Sequence, residues 1–380
     1  MSDTFSPAET EFMRRALVLG ERGEGRTAPN PPVGCVLVRD GQIVGEGWHD
    51  RYGGLHAETM ALSTLPPGGA AGVTAYVTLS PCATQGRQPP CADALAAAGV
   101  REVVAAVVDP NPGNASGLAR LRELGIATRQ GLLATEATFL ARGFFQRHRS
   151  GRPYLTLKYA MTLDGKIATS TGESRWISGP EARERVQDLR SRVDAILVGS
   201  GTAIADNPRL NLRDPVWSNR GGPERHPQPL RVVADSHARL SPAAALLTGD
   251  EPGGKVLLAV LAEDQDGRDL ALAQAGAEII RLPASKAHVD LDSLLRELGR
   301  RGVNHVLAEG GGELAAGLIE AGLVDEIMLF LAPKVVGGRT APSPVAGTGI
   351  SCLAKAAGWR LLEVERVGVD VMVLAGRHDS

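Results

Sequence analysis

At 380 residues the chain exceeds one ordinary hydrophobic core, and two domains are expected. A net charge of −2 argues against a non-specific nucleic-acid binder, and no apolar run approaches the ~18 residues of a membrane span. The polar, acidic start lacks the basic and apolar regions of a secretory leader, and four cysteines give no disulfide framework, so a reducing, cytoplasmic setting is expected.

Taken in order, the pattern predicts a helix over 7–20, with Phe12, Ala16, Leu17 and Leu19 as its apolar stripe and Gly23 and Gly25 beyond its end. A stiff Pro29-Asn30-Pro31-Pro32 loop precedes a strand over 33–38. Asp40-Gly41 then turns the chain into a second strand over 42–48. His49 follows that strand. Asn30 and His49 read equally well as loop polarity or as substrate contacts at the rim of a site.

The segment that carries chemistry begins at His56-Ala57-Glu58 and continues with Pro81-Cys82 and Cys91. One imidazole and two thiolates fill three corners of a zinc tetrahedron and leave the fourth for water. Glu58, two residues from His56, is free to carry protons beside that water. His-x-Glu followed by Pro-Cys is the signature of zinc deaminases acting on bases. The usual form has two residues between the cysteines; here eight intervene. A helix is predicted from Ala57 (57–65), a strand over 73–79 leads to Cys82, and a helix over 92–98 follows Cys91. No fourth protein ligand lies nearby, which favours a catalytic over a structural zinc. Zinc lowers the pKa of a bound water to about 7. The remaining cysteines, Cys35 and Cys352, are expected to be buried thiols.

Strands over 103–108 and 126–128 then alternate with helices over 117–124 and 134–147, an order expected of a sheet between helix layers. Asp109 and Asn111 lie where the first of these strands ends, a common place for ligand groups.

These residues resemble the deaminase half of the bifunctional riboflavin-biosynthesis deaminase–reductase family. The resemblance rests on Asn30-Pro-Pro-Val-Gly-Cys35, Gly47-Trp-His49, His56-Ala-Glu58, Pro81-Cys82, Gly86-Arg87, Pro89-Pro90-Cys91 and Asp109-Pro-Asn111-Pro. It implies a cytidine-deaminase-like α/β/α sandwich acting on 2,5-diamino-6-ribosylamino-4(3H)-pyrimidinone 5′-phosphate. By position, His56, Cys82 and Cys91 would bind one zinc and Glu58 would shuttle protons. Asn30, His49, Asp109 and Asn111 would line the pyrimidine site, and Arg87 would meet the ribose phosphate. The chain departs from the family's pattern at Ala83-Thr84, where Ser-His is usual, at Gln88, usually Thr, and at Met60, often His.

A basic stretch over 147–152 and Pro153-Tyr154 mark a boundary near residue 150, giving domains 1–150 and 151–380. Strands are predicted over 155–159, 195–198, 230–234, 256–260, 304–308, 326–331 and 369–374. Helices are predicted over 180–191, 270–275, 290–298 and 313–320, and 207–229 reads as a long loop. In Glu309-Gly-Gly-Gly-Glu313 a strand runs into three glycines and a helix, a turn that can present backbone N–H groups to an anion or simply be tight.

This half resembles the reductase domain of the same family, through Lys158, Leu163-Asp-Gly-Lys166, Ser174-Arg-Trp176-Ile-Ser178, Gly201-Thr202, Ala205-Asp206-Asn-Pro, Arg213, Asp235-Ser236 and the Glu309 turn. The resemblance implies a dihydrofolate-reductase-like α/β fold, NADPH as cofactor and a homo-oligomer formed through this domain. Ala160, Trp176, Thr202, Asp206, Ser236 and the turn Gly311, Gly312 to Gly317 would contact NADPH. Ser174, Arg190, Leu210, Arg213, Glu309 and Lys158 would contact substrate, with Arg190 and Arg213 clamping its phosphate. Asp206 and Glu309 are the acids to test as proton donors. The expected function is deamination of the diaminopyrimidine followed by reduction of its ribosyl side chain to ribityl. The alternatives are a reductase with a degenerate zinc module, or an RNA base deaminase.

Overall fold

The computed structural model describes residues 4–86, 88–114, 116–213, 227–248, 254–262 and 267–377. The chain divides into two compact units, Met1–Gly151 and Arg152–Ser380.

Unit 1 opens with α1 (Pro7–Gly20), started by a capping box in which the Ser6 hydroxyl accepts from Glu9 N–H and the Glu9 carboxylate accepts from Ser6 N–H. Strands β1 (Gly34–Arg39) and β2 (Gln42–Trp48) join at Asp40-Gly41, both at positive φ, as a two-residue hairpin turn requires. There follow α2 (Ala57–Ser63), β3 (Thr74–Leu79), α3 (Cys91–Ala97), β4 (Glu102–Val107), α4 (Gly117–Glu123), β5 (Ala127–Gln130), α5 (Ala134–Leu140) and α6 (Arg142–Ser150). The sheet order is β2-β1-β3-β4-β5, antiparallel around β1 and parallel from β3 to β5.

Alternate side chains of each strand serve opposite faces. Cys35 and Leu37 pack with Val77, Ala105 and the apolar sides of α2, α3 and α4. Val36 and Val38 pack with Tyr76, Val104, Ala106 and Met13, Ala16 and Leu19 of α1. This is the expected α/β/α sandwich. The single helix expected over 134–147 is two, broken at Ala141, which adopts φ −97°, ψ 18°.

Unit 2 runs β6 (Tyr154–Thr162), α7 (Pro180–Arg192), β7 (Ala195–Gly199), α8 (Ser200–Asp206), β8 (Leu230–Ala234), α9 (Ala245–Thr248), β9 (Val256–Leu261), α10 (Arg268–Gln274), β10 (Ala277–Leu282), a small hairpin of β11 (Ala284–Ser285) and β12 (His288–Val289), α11 (Leu291–Arg300), β13 (His305–Glu309), α12 (Gly312–Glu320), β14 (Glu326–Ala332), β15 (Trp359–Val367) and β16 (Asp370–Arg377). Nine strands form one sheet, β10-β9-β8-β7-β13-β6-β14-β16-β15. It is parallel from β10 to β14 and antiparallel at the β16 and β15 edge. Both faces are covered: Ile196, Val198, Leu258 and Leu307 pack under α7, while Leu197, Leu257, Leu155 and Val306 pack under α11 and α12.

The strands β10 and β15 and the helix α8 were not expected. In β15 the alternation is broken at Leu361-Leu362, where the register against β16 slips between Leu361 and Glu363, so a period-2 reading fails. Cys352 is exposed rather than buried, because it lies in an irregular segment after β14; Cys35, inside β1, is buried. Residues 214–226 of the expected long loop lie outside the described residues.

Candidate active sites

Two helix starts build the first site. His56 is the N-cap of α2, in extended conformation, and Cys91 is the first residue of α3. Cys82 follows β3 after Ser80-Pro81, and Cys91 N–H donates to its Sγ at 3.3 Å. His56 Nδ1 lies 3.2 Å from Cys91 Sγ and 3.7 Å from Cys82 Sγ, and the three donor atoms all lie within 4.8 Å of one another. Ligand bonds of about 2.0–2.3 Å around a tetrahedral zinc put neighbouring donors about 3.6 Å apart, so these residues fit the ion. The Cys91 thiol, joined by the His56 ring and the Cys91 N–H, holds the Cys82 thiol down at about 4 against the effect of burial.

Glu58 is buried in the first turn of α2. Burial lifts its carboxyl to about 7, against the opposing pull of His56. A cation beside it would draw that value down. Strand β2 presses on this helix: a Cβ on Gly47 would stand 2.3 Å from both Ala57 O and Ala61 N.

His49 is buried, its ring edge-on to that of His56 with centroids 5.3 Å apart. Its Nδ1 lies 2.8 Å from Leu55 O and its Nε2 lies 3.1 Å from Asn30 Nδ2. The carbonyl only accepts and the amide only donates, which assigns the neutral tautomer with Nδ1–H. Burial lowers its pKa and favours the same form. His49 thus orients the Asn30 amide.

Asp109 is buried and organises its own loop. Its Oδ1 accepts from Asn111 N–H at 2.8 Å and its Oδ2 from Asn114 Nδ2 at 3.2 Å, while Asn111 Oδ1 accepts from Gly113 N–H at 3.1 Å. Thr84 Oγ1 donates to Asn114 Oδ1 at 2.7 Å, which ties the loop after Cys82 to the Asp109 loop. Sequence reasoning missed Asn114; the polar run after Asp109 was the available signal. Arg87 lies outside the described residues.

The second site is a cleft of about 2520 Å³ at the carboxyl ends of the parallel strands of unit 2. Lys158, Ala160, Ser174, Trp176, Arg190, Thr202, Asp206, Leu210, Arg213, Ser236, Glu309, Gly311, Gly312 and Gly317 all line it. At its centre Arg190 of α7 grips Glu309 of β13 with two parallel bonds, Nε–Oε1 2.6 Å and Nη2–Oε2 2.9 Å. Its fork is occupied, so Arg190 does not stand free as a phosphate clamp. Burial would raise the Glu309 carboxyl, but Arg190, with help from Lys158, holds it at about 2. The paired Arg190 thus holds Glu309 as a carboxylate. Lys158 lies opposite Glu309 in the β6–β13 register, and burial lowers its pKa.

The triple glycine serves packing. Gly311 N–H donates to Thr202 Oγ1 at 2.8 Å, and Ala346 N–H to Gly312 O at 3.0 Å. A Cβ on Gly312 would stand 2.8 Å from Ser343 O, so the loop over 343–346 crosses where only glycine fits. Among the described residues no helix is long and apolar enough to cross a membrane.

Comparison with known proteins matches both halves. The family model described as the RibD C-terminal domain covers residues 153–373, and that of the cytidine and deoxycytidylate deaminase zinc-binding region covers 7–107. The riboflavin biosynthesis protein RibD of Escherichia coli is 43% identical over 371 residues, 95% of this chain and 97% of that protein. The protein of the same name from Haemophilus influenzae is 42% identical, with 97% of each chain covered. Among solved structures, Acinetobacter baumannii RibD, form 2, aligns with a TM-score of 0.86 at 34% identity over 97% of this chain and 99% of that one. A diaminohydroxyphosphoribosylaminopyrimidine deaminase/5-amino-6-(5-phosphoribosylamino)uracil reductase from Thermotoga maritima aligns at 0.83 and 32%, again over 97% and 99%.

Proposed function

The chain belongs to the RibD family, a bifunctional zinc-dependent deaminase and NADPH-dependent reductase of riboflavin biosynthesis, and on that premise we propose which of its residues do the work. The substrate is 2,5-diamino-6-ribosylamino-4(3H)-pyrimidinone 5′-phosphate, and the product 5-amino-6-ribitylamino-uracil 5′-phosphate. The observation that carries the first reaction is the His56, Cys82, Cys91 triangle with buried Glu58 beside it.

Those three residues would hold the zinc, which when bound makes a water acidic enough to attack near neutral pH. Glu58 takes one proton of the attacking water and delivers it to the ring nitrogen, then takes the second from the newly added hydroxyl and delivers it to the leaving amine. Ammonia leaves and a carbonyl remains. Asn30, held by His49, meets the pyrimidine, as does the loop ordered by Asp109 and Asn111; Arg87 meets the ribose phosphate.

In unit 2, bound NADPH would supply the hydride that reduces C1′ of the opened ribose. The cleft is well above the ~300–1,000 Å³ of a single-ligand site, which fits a dinucleotide and a sugar phosphate together. Ala160, Trp176, Thr202, Asp206, Ser236 and the turn from Gly311 and Gly312 to Gly317 bind the cofactor. Lys158, Ser174, Leu210, Arg213 and Glu309 bind the substrate, with Arg190 acting through Glu309. Asp206 and Glu309 are the acids to test as proton donors.

We propose a cytoplasmic setting, which the lack of a disulfide among Cys35, Cys82, Cys91 and Cys352 supports. A second copy is proposed to dock through unit 2. The edge strand β15 exposes Leu361 and Val364 (65% and 60%), an open edge that calls for a partner.

The test is NADPH oxidation on adding the diaminopyrimidine ribosyl phosphate, before and after zinc removal. Oxidation that stops without zinc, and resumes when the already deaminated compound is supplied, is the expected result. Oxidation of the diamino compound by zinc-free protein would overturn the order of steps. The degenerate-module alternative predicts activity on the deaminated compound only.

A further inference from the structure

We propose that Arg239, supported by Lys286 and His288, reads the 2′-phosphate of the cofactor's adenosine ribose and sets a preference for NADPH over NADH. The proposal rests on the reading of unit 2 as a dinucleotide-dependent reductase and adds residues that reading does not include.

The sheet order supplies the argument. Strands β6, β13, β7 and β8 lie side by side. Lys158 and Glu309 sit level with one another on the first two, and Ser236 follows the last. Lys158 is level with Val233 across β13 and β7, so at about 4.8 Å between strands and about 3.3 Å per residue Lys158 and Ser236 are roughly 17 Å apart. That is the scale of an extended dinucleotide, not of a sugar phosphate. Hydride leaves from the nicotinamide, so that ring belongs at the Lys158 and Glu309 end, where the sugar's reacting carbon is held. The distal ribose then falls beyond β8.

What waits there is basic. Arg239, on the turn after β8, lines the cleft and is half exposed. Its Nη2 donates to Ser200 Oγ at 2.7 Å, and its Nε lies 3.9 Å from buried Asp235. These contacts aim the guanidinium without filling it. The small β11–β12 hairpin is docked beside it, Val289 N–H donating to Ser236 Oγ at 3.0 Å. This brings Lys286 and His288 to the same wall. Of the acids nearby, Asp290 caps α11 by accepting from Ser293 N–H at 2.8 Å, and Glu320 takes one of the three ammonium donors of the exposed Lys286 at 3.2 Å, leaving two for a phosphate. A planar fork with donors to spare suits a phosphate dianion. A bare 2′-hydroxyl gives it nothing to pair with.

The experiment measures binding to the full chain, without turnover. NADPH and NADH are titrated by fluorescence, and 2′,5′-ADP and 5′-AMP by calorimetry. Wild type is expected to favour NADPH at least tenfold and to bind 2′,5′-ADP but not 5′-AMP. Arg239→Gln is expected to weaken NADPH about tenfold or more and leave NADH unchanged, collapsing the ratio. A retained ratio in Arg239→Gln overturns the proposal. If that variant loses both nucleotides, the Lys286→Ala, His288→Gln double variant on the exposed hairpin decides, and an unchanged ratio there is equally fatal. Equal wild-type affinity for the two cofactors sinks the proposal while leaving the reductase reading intact; binding of neither sinks both.

Discussion

Replacing Gly47 by alanine should disable the deaminase and spare the reductase. The added Cβ would meet Ala57 O at 2.3 Å, Ala61 N at 2.3 Å and Ala61 Cα at 2.9 Å. All three are backbone atoms of α2, so no side-chain rotation relieves the clash. Restoring a contact of about 3.4 Å requires β2 and α2 to part by about 1 Å, and overpacking of this kind costs about 1–3 kcal/mol. Helix α2 begins at the proposed zinc ligand His56 and carries Glu58 in its first turn. His49, the partner of Asn30, directly follows β2. A shift of ~1 Å in a catalytic group is worth about a hundredfold in rate. Ammonia release should therefore fall about a hundredfold in kcat/KM, while NADPH oxidation with the deaminated compound stays at the wild-type level, since unit 2 has its own cores. Ammonia release within about threefold of wild type, with full zinc content, would refute the reasoning: the strand and helix would then not position Glu58.

Other substitutions separate roles within each site. Glu58→Gln should keep zinc and lose about 10²–10⁴ of the deamination rate, whereas Cys82→Ser should lose the metal as well; metal analysis beside ammonia release tells them apart. Thr84→Val removes the donor to Asn114, a bond worth about 1 kcal/mol, so KM for deamination should rise about fivefold with kcat little changed and Thr84→Ser should restore it. The Glu309 carboxyl sits at about 2 in the fold against an ordinary 4.5. A lowered value stabilises above the unfolded pKa, so this contribution is full above about pH 4.5 and is lost as pH falls toward 2, on the order of 3 kcal/mol in all. Arg190→Met should flatten that acid limb and, by leaving Glu309 buried and unpaired, cost about 3–5 kcal/mol at neutral pH; melting curves of the reductase unit across pH read both.

The meeting of His56, Cys82 and Cys91 was legible because they sit at local features, a strand end and two helix starts, that short-range pattern marks. The sandwich was legible because strands such as β1 and β4 divide their apolar residues cleanly between two faces. What pairs across long separations was not. Arg190 and Glu309 are 119 residues apart, and nothing near either shows that each takes up the other, so Arg190 read as a free phosphate clamp. The burial of His49 between Leu55 O and Asn30 was equally hidden, as was the role of Asp109 as a knot for its own loop. Helix α8 escaped notice because Ser200-Gly201-Thr202 is poor helix former; β15 escaped because its bulge breaks the alternation.

The buried pair at the head of unit 2 decides where the chain can be cut. Arg152 sends Nη1 and Nη2 to the two oxygens of Asp325 at 2.7 and 2.8 Å, and Leu155 N–H donates to the same carboxylate at 2.8 Å. Both side chains are nearly inaccessible. Sequence matching would begin a stand-alone reductase at residue 153 and end it at 373. That fragment lacks Arg152, leaving a buried carboxylate without its counter-ion. It also ends β16 short of Arg377, whose N–H donates to Asp325 O at 3.0 Å. Extending it by one residue at the front and four at the back keeps Asp325 paired on both counts.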